Sequence, residues 1–188
     1  MVPSWLETPD QAKVPIYIDP GMAFGTGTHA TTQIAAELAS NLIKSERVRS
    51  VLDVGTGTGI LAFMCEKLGA ERVHATEIDA EARRVARENI VQNQLSKTEV
   101  LEVQVQDLKE KYDLVIANII DGVLVQIKPD LLRCFSGCLI VTGILKEREN
   151  SFLEDFLQDA PFCVAERKER DEWVGFLLRR RQTENTKL

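Results

Sequence analysis

The segment Asp53-Val54-Gly55-Thr56-Gly57-Thr58-Gly59 follows one short apolar run and opens another. Glycines at alternate positions let a backbone pass close to a ligand, because they tolerate unusual dihedrals and carry no obstructing side chain. The helix opened by such a loop offers backbone N–H groups and partial positive charge at its N-terminus. Asp53, Gly55 and Gly57 are therefore candidate ligand contacts. Glu77 ends the next apolar run, twenty-two residues after Gly55. A carboxylate there can accept hydrogen bonds from both hydroxyls of a ribose. Asp107 follows a third run and has two readings: acceptor for an adenine amino group, or helix cap before Leu108. Asn118 ends a fourth run. Its side-chain oxygen could accept hydrogen bonds from an amine and aim the amine's lone pair; otherwise it is a strand-terminating turn residue.

The elements that would position these residues alternate in type. Arg49 to Val54 reads as a buried strand, and Ile60, Leu61, Met64 and Leu68 as one face of a helix stopped by Gly69. Arg72 to Thr76, Val100 to Val105, Asp113 to Asn118 and Cys138 to Thr142 read as further strands. Between them lie helical patterns at Ala80 to Asn93 and around Val123, Leu124, Ile127 and Leu131, with another after them at Phe152, Leu153, Phe156 and Leu157. Cys163 to Lys168 and Trp173 to Arg179 read as a hairpin joined by the charged turn Glu169-Arg170-Asp171-Glu172. The expectation is an α/β fold: a doubly wound, mostly parallel seven-stranded sheet closed by an antiparallel C-terminal hairpin. Residues 1–15 hold three of the six prolines and read as an extended arm; residues 16–188 form the expected folded domain.

At 188 residues the chain suits one domain with a full core. No apolar run approaches the ~20 residues needed to span a bilayer. The N-terminal residues do not read as a signal peptide, so a cytoplasmic protein is expected. Cys65, Cys134, Cys138 and Cys163 match no zinc frame and read as buried, reduced thiols; no metal is expected. A net charge of −6 argues against direct nucleic-acid binding and suits a cationic protein partner. Arg179-Arg180-Arg181 reads as a solvated strand end.

The glycine spacing is G-x-G-x-G, whereas the nicotinamide dinucleotide turn places G-x-G-x-x-G around a pyrophosphate. It resembles the loop of S-adenosylmethionine enzymes, whose ligand presents an amino-acid end and no phosphate. Before the first strand, Asp19-Pro20-Gly21-Met22-Ala23-Phe24-Gly25-Thr26-Gly27-Thr28-His29-Ala30-Thr31-Thr32 packs three glycines, four threonines and one histidine into fourteen residues. It reads as a flexible lid running into the capped helix of Ile34, Leu38 and Leu42. This segment closely resembles the signature of the ribosomal protein L-eleven lysine methyltransferase (PrmA) family. Val54 to Ala62, Lys67-Leu68-Gly69-Ala70, Arg87-Glu88-Asn89, Ala117-Asn118-Ile119, Gly143-Ile144-Leu145 and Glu172-Trp173 carry the resemblance over roughly residues 3 to 181.

The resemblance implies that residues 16–188 form a catalytic domain of the class I S-adenosylmethionine-dependent methyltransferase fold, with that cofactor as methyl donor. Thr32, Gly55, Glu77 and Asn118 would contact it, and Phe24 and Gly25 would line the site from the lid. The family usually has cysteine where Thr56 stands and aspartate where Glu77 stands; both changes keep the needed size or charge. It also carries a recognition domain ahead of the catalytic one, so this chain is expected to be a piece of such a protein or a stand-alone catalytic domain. The expected activity is protein N-methylation, most directly of a lysine, with L-eleven a possible substrate. Alternatives are another protein or a small amine as acceptor, a nicotinamide-dependent oxidoreductase, and a non-catalytic cofactor-binding subunit. A neutral amine needs only positioning, which Asn118 is expected to supply; His29 is a candidate base, but a role in the lid is preferred.

Overall fold

The computed structural model describes residues 15–18, 27–158 and 160–181. Helix α1 (Ala30–Ser45) precedes an alternating series: β1 (Ser50–Val54), α2 (Ile60–Lys67), β2 (Arg72–Thr76), α3 (Ala80–Gln92), β3 (Thr98–Leu101), β4 (Tyr112–Asn118), α4 (Asp121–Cys134), β5 (Phe135–Leu145) and α5 (Glu149–Leu157). The hairpin β6 (Phe162–Arg170) and β7 (Trp173–Arg180) follows. All seven strands form one sheet in the order β3-β2-β1-β4-β5-β7-β6.

Strands β1 to β5 pair in parallel, because each connection between them is a crossover long enough to return the chain to the same end. β7 then enters antiparallel between β5 and β6. Successive side chains alternate between two cores. Val51, Leu114, Ile116 and Ile140 pack with α1 and α2 on one face; Leu52, Val115, Ala117 and Leu139 pack with α4 and α5 on the other.

Several boundaries differ from the sequence reading. β3 stops at Leu101, the partner of Thr76, because β2 ends there and offers nothing further to pair with. Val105–Asp107 instead forms a turn of 3₁₀ helix. β5 extends beyond Cys138–Thr142 at both ends: Phe135 pairs with Tyr112 of β4, and Ile144 and Leu145 pair with Val174 and Trp173 of β7. The hairpin turn shrinks to Asp171 and Glu172: Glu169 and Arg170 remain in the ladder opposite Val174 and Trp173. Charged residues suit an exposed edge strand such as β6, where they oppose pairing with another chain.

Cys65, Cys134 and Cys138 are buried, but Cys163 is exposed on that edge; all four are free thiols. The arginine cluster does more than end a strand. Arg179 pairs with Glu46, Arg180 donates to the Leu132 and Phe135 carbonyls, and Arg181 donates to the Phe162 carbonyl. No helix among the described residues is long and apolar enough to cross a membrane.

Candidate active site

A cleft of about 550 Å³ opens at the carboxyl ends of β1, β2 and β4, the end at which open α/β sheets bind ligands. Its floor is the glycine loop. Gly55 has φ +71°, Gly57 +56° and Gly59 +92°, left-handed conformations that side chains disfavour. A Cβ on Gly55 would stand 2.7 Å from the Ile119 side chain, and one on Gly59 would enter the Phe63 ring.

The loop's amides are used within the protein. Gly55 and Thr56 N–H both donate to the Thr76 carbonyl, at 2.8 and 3.0 Å. Gly59 N–H donates to the Thr56 carbonyl, and Gly57 N–H to Glu77 Oε2 at 3.0 Å. The expected display of free N–H groups is therefore not what these four positions provide. They hold the loop tight and bring bare backbone to the cleft.

Glu77 lines the cleft from the end of β2, and its second oxygen accepts the Asp79 N–H at 3.0 Å. Arg83 fastens the same turn by donating to the Glu77 and Ile78 carbonyls. Asp53 is not in the cleft wall. It is buried beneath the loop, where its carboxylate accepts the Thr56 hydroxyl at 2.6 Å and the Ala62 backbone N–H. Burial pushes its carboxyl up to about 6, against the pull of those two donors and with some help from the Glu77 charge.

Asn118 lines the cleft from the end of β4, and its carboxamide is held at both ends. Its Nδ2 donates to Thr32 Oγ1 at 3.2 Å, and its Oδ1 accepts the Thr142 hydroxyl at 2.8 Å. Thr32 is thus buried behind the wall, while Thr31 lines it. Asp107 is exposed and lies one position past the wall formed by Val103, Gln104, Val105 and Gln106; the 3₁₀ turn buries Val105 instead. Phe24 and Gly25 lie outside the described residues.

His29, expected in a mobile lid, is the N-cap of α1. Its Nδ1 lies 2.8 Å from Thr31 Oγ1 and accepts the Thr31 N–H, and its ring stands edge-on to Trp173 at 5.3 Å. Both rings line the cleft. Trp173 and Thr142 were missed as site residues. β7 runs antiparallel, so its first residue lands at the same sheet end as the last residues of β1, β2 and β4. Ile78, Val103, Ile120 and Val123 complete an apolar rim; Ile78 is 79% exposed and Ile120 64%. An isoleucine directly after Glu77 was a usable signal, since apolar surface left open beside a polar floor suits a flat ring. Among the described residues no group of three or more His, Cys, Asp or Glu side chains could hold a metal ion.

A family model described as ribosomal protein L11 methyltransferase (PrmA) matches residues 1–181. The chain belongs to the ribosomal protein L11 methyltransferase family. A relative of that name from Acetivibrio thermocellus is 41% identical over 94% of this chain, and one from Geobacter metallireducens is 40% identical over 93%. The chain spans 57% and 58% of the lengths of these two relatives. A crystal structure of ribosomal protein L11 methylase from Lactobacillus delbrueckii subsp. bulgaricus superposes with a TM-score of 0.79 at 31% identity, covering 88% of this chain and 85% of that one. Magnesium protoporphyrin IX methyltransferase from Synechocystis with bound SAM shares the fold, with a TM-score of 0.68 at 17% identity and 79% coverage of both chains. The L11 methyltransferase family member described here therefore has the class I S-adenosylmethionine-dependent methyltransferase fold.

Proposed function

We propose that the chain is a protein N-methyltransferase that uses S-adenosylmethionine and acts on a lysine or terminal amine, with ribosomal protein L11 the first acceptor to consider. The observation that carries the choice of ligand is the use of the loop amides. A pyrophosphate needs several free N–H donors, and the N–H groups of Gly55, Thr56, Gly57 and Gly59 are already committed. That argues against a pyrophosphate cradled by these four positions. A ligand with a zwitterionic amino-acid end and no phosphate suits this loop, and the Glu77 carboxylate keeps lone pairs for ribose hydroxyls. The apolar rim from Ile78 to Val123 would take the adenine.

S-adenosylmethionine supplies a methyl group already activated by its sulfonium charge, so the protein needs no nucleophile or metal of its own. The acceptor nitrogen forms the new N–C bond with its lone pair, the old S–C pair stays on sulfur, and the amine proton leaves to solvent. What the protein must do is hold a neutral amine in line. A lysine amine has a reference pKa near ~10.4, and an apolar cleft beside positive charge favours its neutral form. Asn118 Oδ1, with one lone pair taken by Thr142, has the other for an amine N–H. The His29 and Trp173 rings form the wall nearest α1 and would flank the amine's alkyl chain. The acidic net charge suits a cationic protein partner in the cytoplasm.

The test is to incubate the chain with S-adenosylmethionine and L11 and map methyl groups by peptide mass spectrometry. Methylated lysine or N-terminal amine is expected. Cofactor binding without transfer to L11 would move the acceptor to another protein or a small amine.

A further inference from the structure

We propose that Thr142 is a positioning residue: its hydroxyl, aimed by a methyl group seated over Gly175, fixes which end of the Asn118 carboxamide faces the acceptor. The inference rests on the reading of Asn118 as the residue that holds the acceptor amine.

Thr142 is fully buried and stands beside Asn118 in the parallel register of β4 and β5. A carboxamide has two ends of nearly equal size and opposite hydrogen-bonding character: the oxygen only accepts and the NH₂ only donates. An acceptor amine in the cleft needs the oxygen. Turned the other way, Asn118 would point N–H groups at the amine and draw its lone pair away from the methyl donor.

The surroundings distinguish the two orientations. The Thr142 hydroxyl donates to Asn118 Oδ1 at 2.8 Å, its one side-chain partner among the described residues. A flipped amide could donate to the Thr142 oxygen, but the hydroxyl proton would lose the one side-chain acceptor it has among the described residues, and an unpaired buried donor carries the full cost of its desolvation. The Thr32 hydroxyl, 3.2 Å from Nδ2, holds the other end.

The packing of Thr142 explains why its hydroxyl faces Asn118. A Cβ added at Gly175 would stand 2.5 Å from Thr142 Cγ2 and 2.7 Å from Ile34 Cγ2. The threonine methyl therefore occupies the space that glycine leaves open on β7. The β5·β7 ladder shifts register between Val141 and Ile144, so Thr142 sits within that irregularity. With the methyl seated on this side, the hydroxyl turns toward β4.

Thr142→Val keeps the shape and removes the donor, while Thr142→Ser keeps the donor. The experiment measures turnover on L11, the cofactor dissociation constant and the Asn118 side-chain amide NMR signals, assigned with Asn118→Asp. Thr142→Val should lower kcat at least tenfold, leave cofactor affinity within twofold, and shift or broaden the Asn118 amide signals. Thr142→Ser should restore kcat to within threefold of wild type. Should the valine variant not fold, Thr142→Ala carries the same expectations. Wild-type kcat in the donor-free variant, loss of cofactor affinity in step with kcat, or unmoved Asn118 signals would each overturn the proposal. If the wild-type chain does not methylate L11, the functional reading of the acceptor fails separately, and the amide signals alone decide the role of Thr142.

Discussion

The Glu77 carboxylate accepts the Gly57 backbone N–H at 3.0 Å, so the acid at the end of β2 braces the middle of the glycine loop. One side chain thereby shapes the loop and lines the cleft. Glu77→Gln replaces one acceptor oxygen with a donor that cannot serve the Gly57 or Asp79 N–H. Hydrogen bonds to a charged group contribute about 1.5–3 kcal/mol, so affinity for S-adenosylhomocysteine should fall roughly ten- to hundredfold. Glu77→Asp keeps the charge but is one methylene shorter, and should fall between the two. Calorimetric titration of the three proteins checks the order; equal affinities would separate the loop brace from binding.

Asp53 is expected to make stability depend on pH. Its folded carboxyl is raised to about 6 by burial, so the folded protein holds the proton more tightly than the unfolded chain does. The proton-linked stabilisation is full below the unfolded value of about 3.9 and is lost as pH rises through the folded value. A shift of this size corresponds to about 3 kcal/mol. Asp53→Asn cannot ionise, so from pH 4 to pH 7 its Tm should gain on that of the wild type. Melting curves at unit pH steps test this, and two parallel courses would remove Asp53 as the linked group.

Gly143→Ala should be severe. The position has φ +92°, and a Cβ there would stand 2.3 Å from the Ile119 carbonyl oxygen. That is a contact with backbone, which cannot swing aside as a side-chain end can. Left-handed strain alone costs about 1–3 kcal/mol, and displacing Ile119 would also disturb Asn118. Chemical denaturation and cofactor titration should both show loss; a variant that binds cofactor normally would mean that this turn relaxes freely.

His29 is expected to act through the helix it caps. His29→Ala removes the acceptor for the Thr31 N–H and should cost about 1 kcal/mol, whereas asparagine, a good cap, should recover most of that stability. The pH–rate profile should keep its shape in both variants. Loss of a limb near neutral pH in His29→Asn would assign the imidazole a proton-transfer role after all.

The elements were legible where side-chain period and burial agree. Val51, Leu52, Val115 and Ile116 lie in strands covered on both faces, and a short apolar run ended by glycine or a polar residue is the expected form for such a strand. β3 was overextended because Val103 and Val105 continue an alternating pattern, and nothing local reveals that β2 has ended. The turn at Glu169 to Glu172 was read too long because a run of charge looks the same in a loop and on a sheet edge.

The site divides in the same way. Gly55, Gly57, Glu77 and Asn118 stand at element ends and line the cleft. Thr142 meets Asn118 through the parallel β4–β5 pairing, and Trp173 reaches the cleft only because β7 runs antiparallel beside β5, relationships between residues far apart in the chain. Asp53 carries the composition of a ligand contact but is enclosed by Thr56 and Ala62, which no spacing rule distinguishes from display. The use of the loop amides was hidden for a related reason: their acceptors, the Thr76 carbonyl and the Glu77 carboxylate, come from a neighbouring strand.

The insertion of β7 between β5 and β6 also orders events on the ribosome. While the chain is being made, β1 to β5 can assemble in sequence, but the outer edge of β5 must wait until residues 173–180 have left the exit tunnel. β6 emerges first and cannot take that edge in its native place, because the strand that joins it to β5 does not yet exist. A chain that folds from its N-terminus would carry an unpaired β5 edge until β7 joins it, the feature that invites chaperones and mispairing. The same strand delivers Trp173 to the cleft wall and Gly175 beside Thr142, so the pairing event that protects the sheet also completes the cleft.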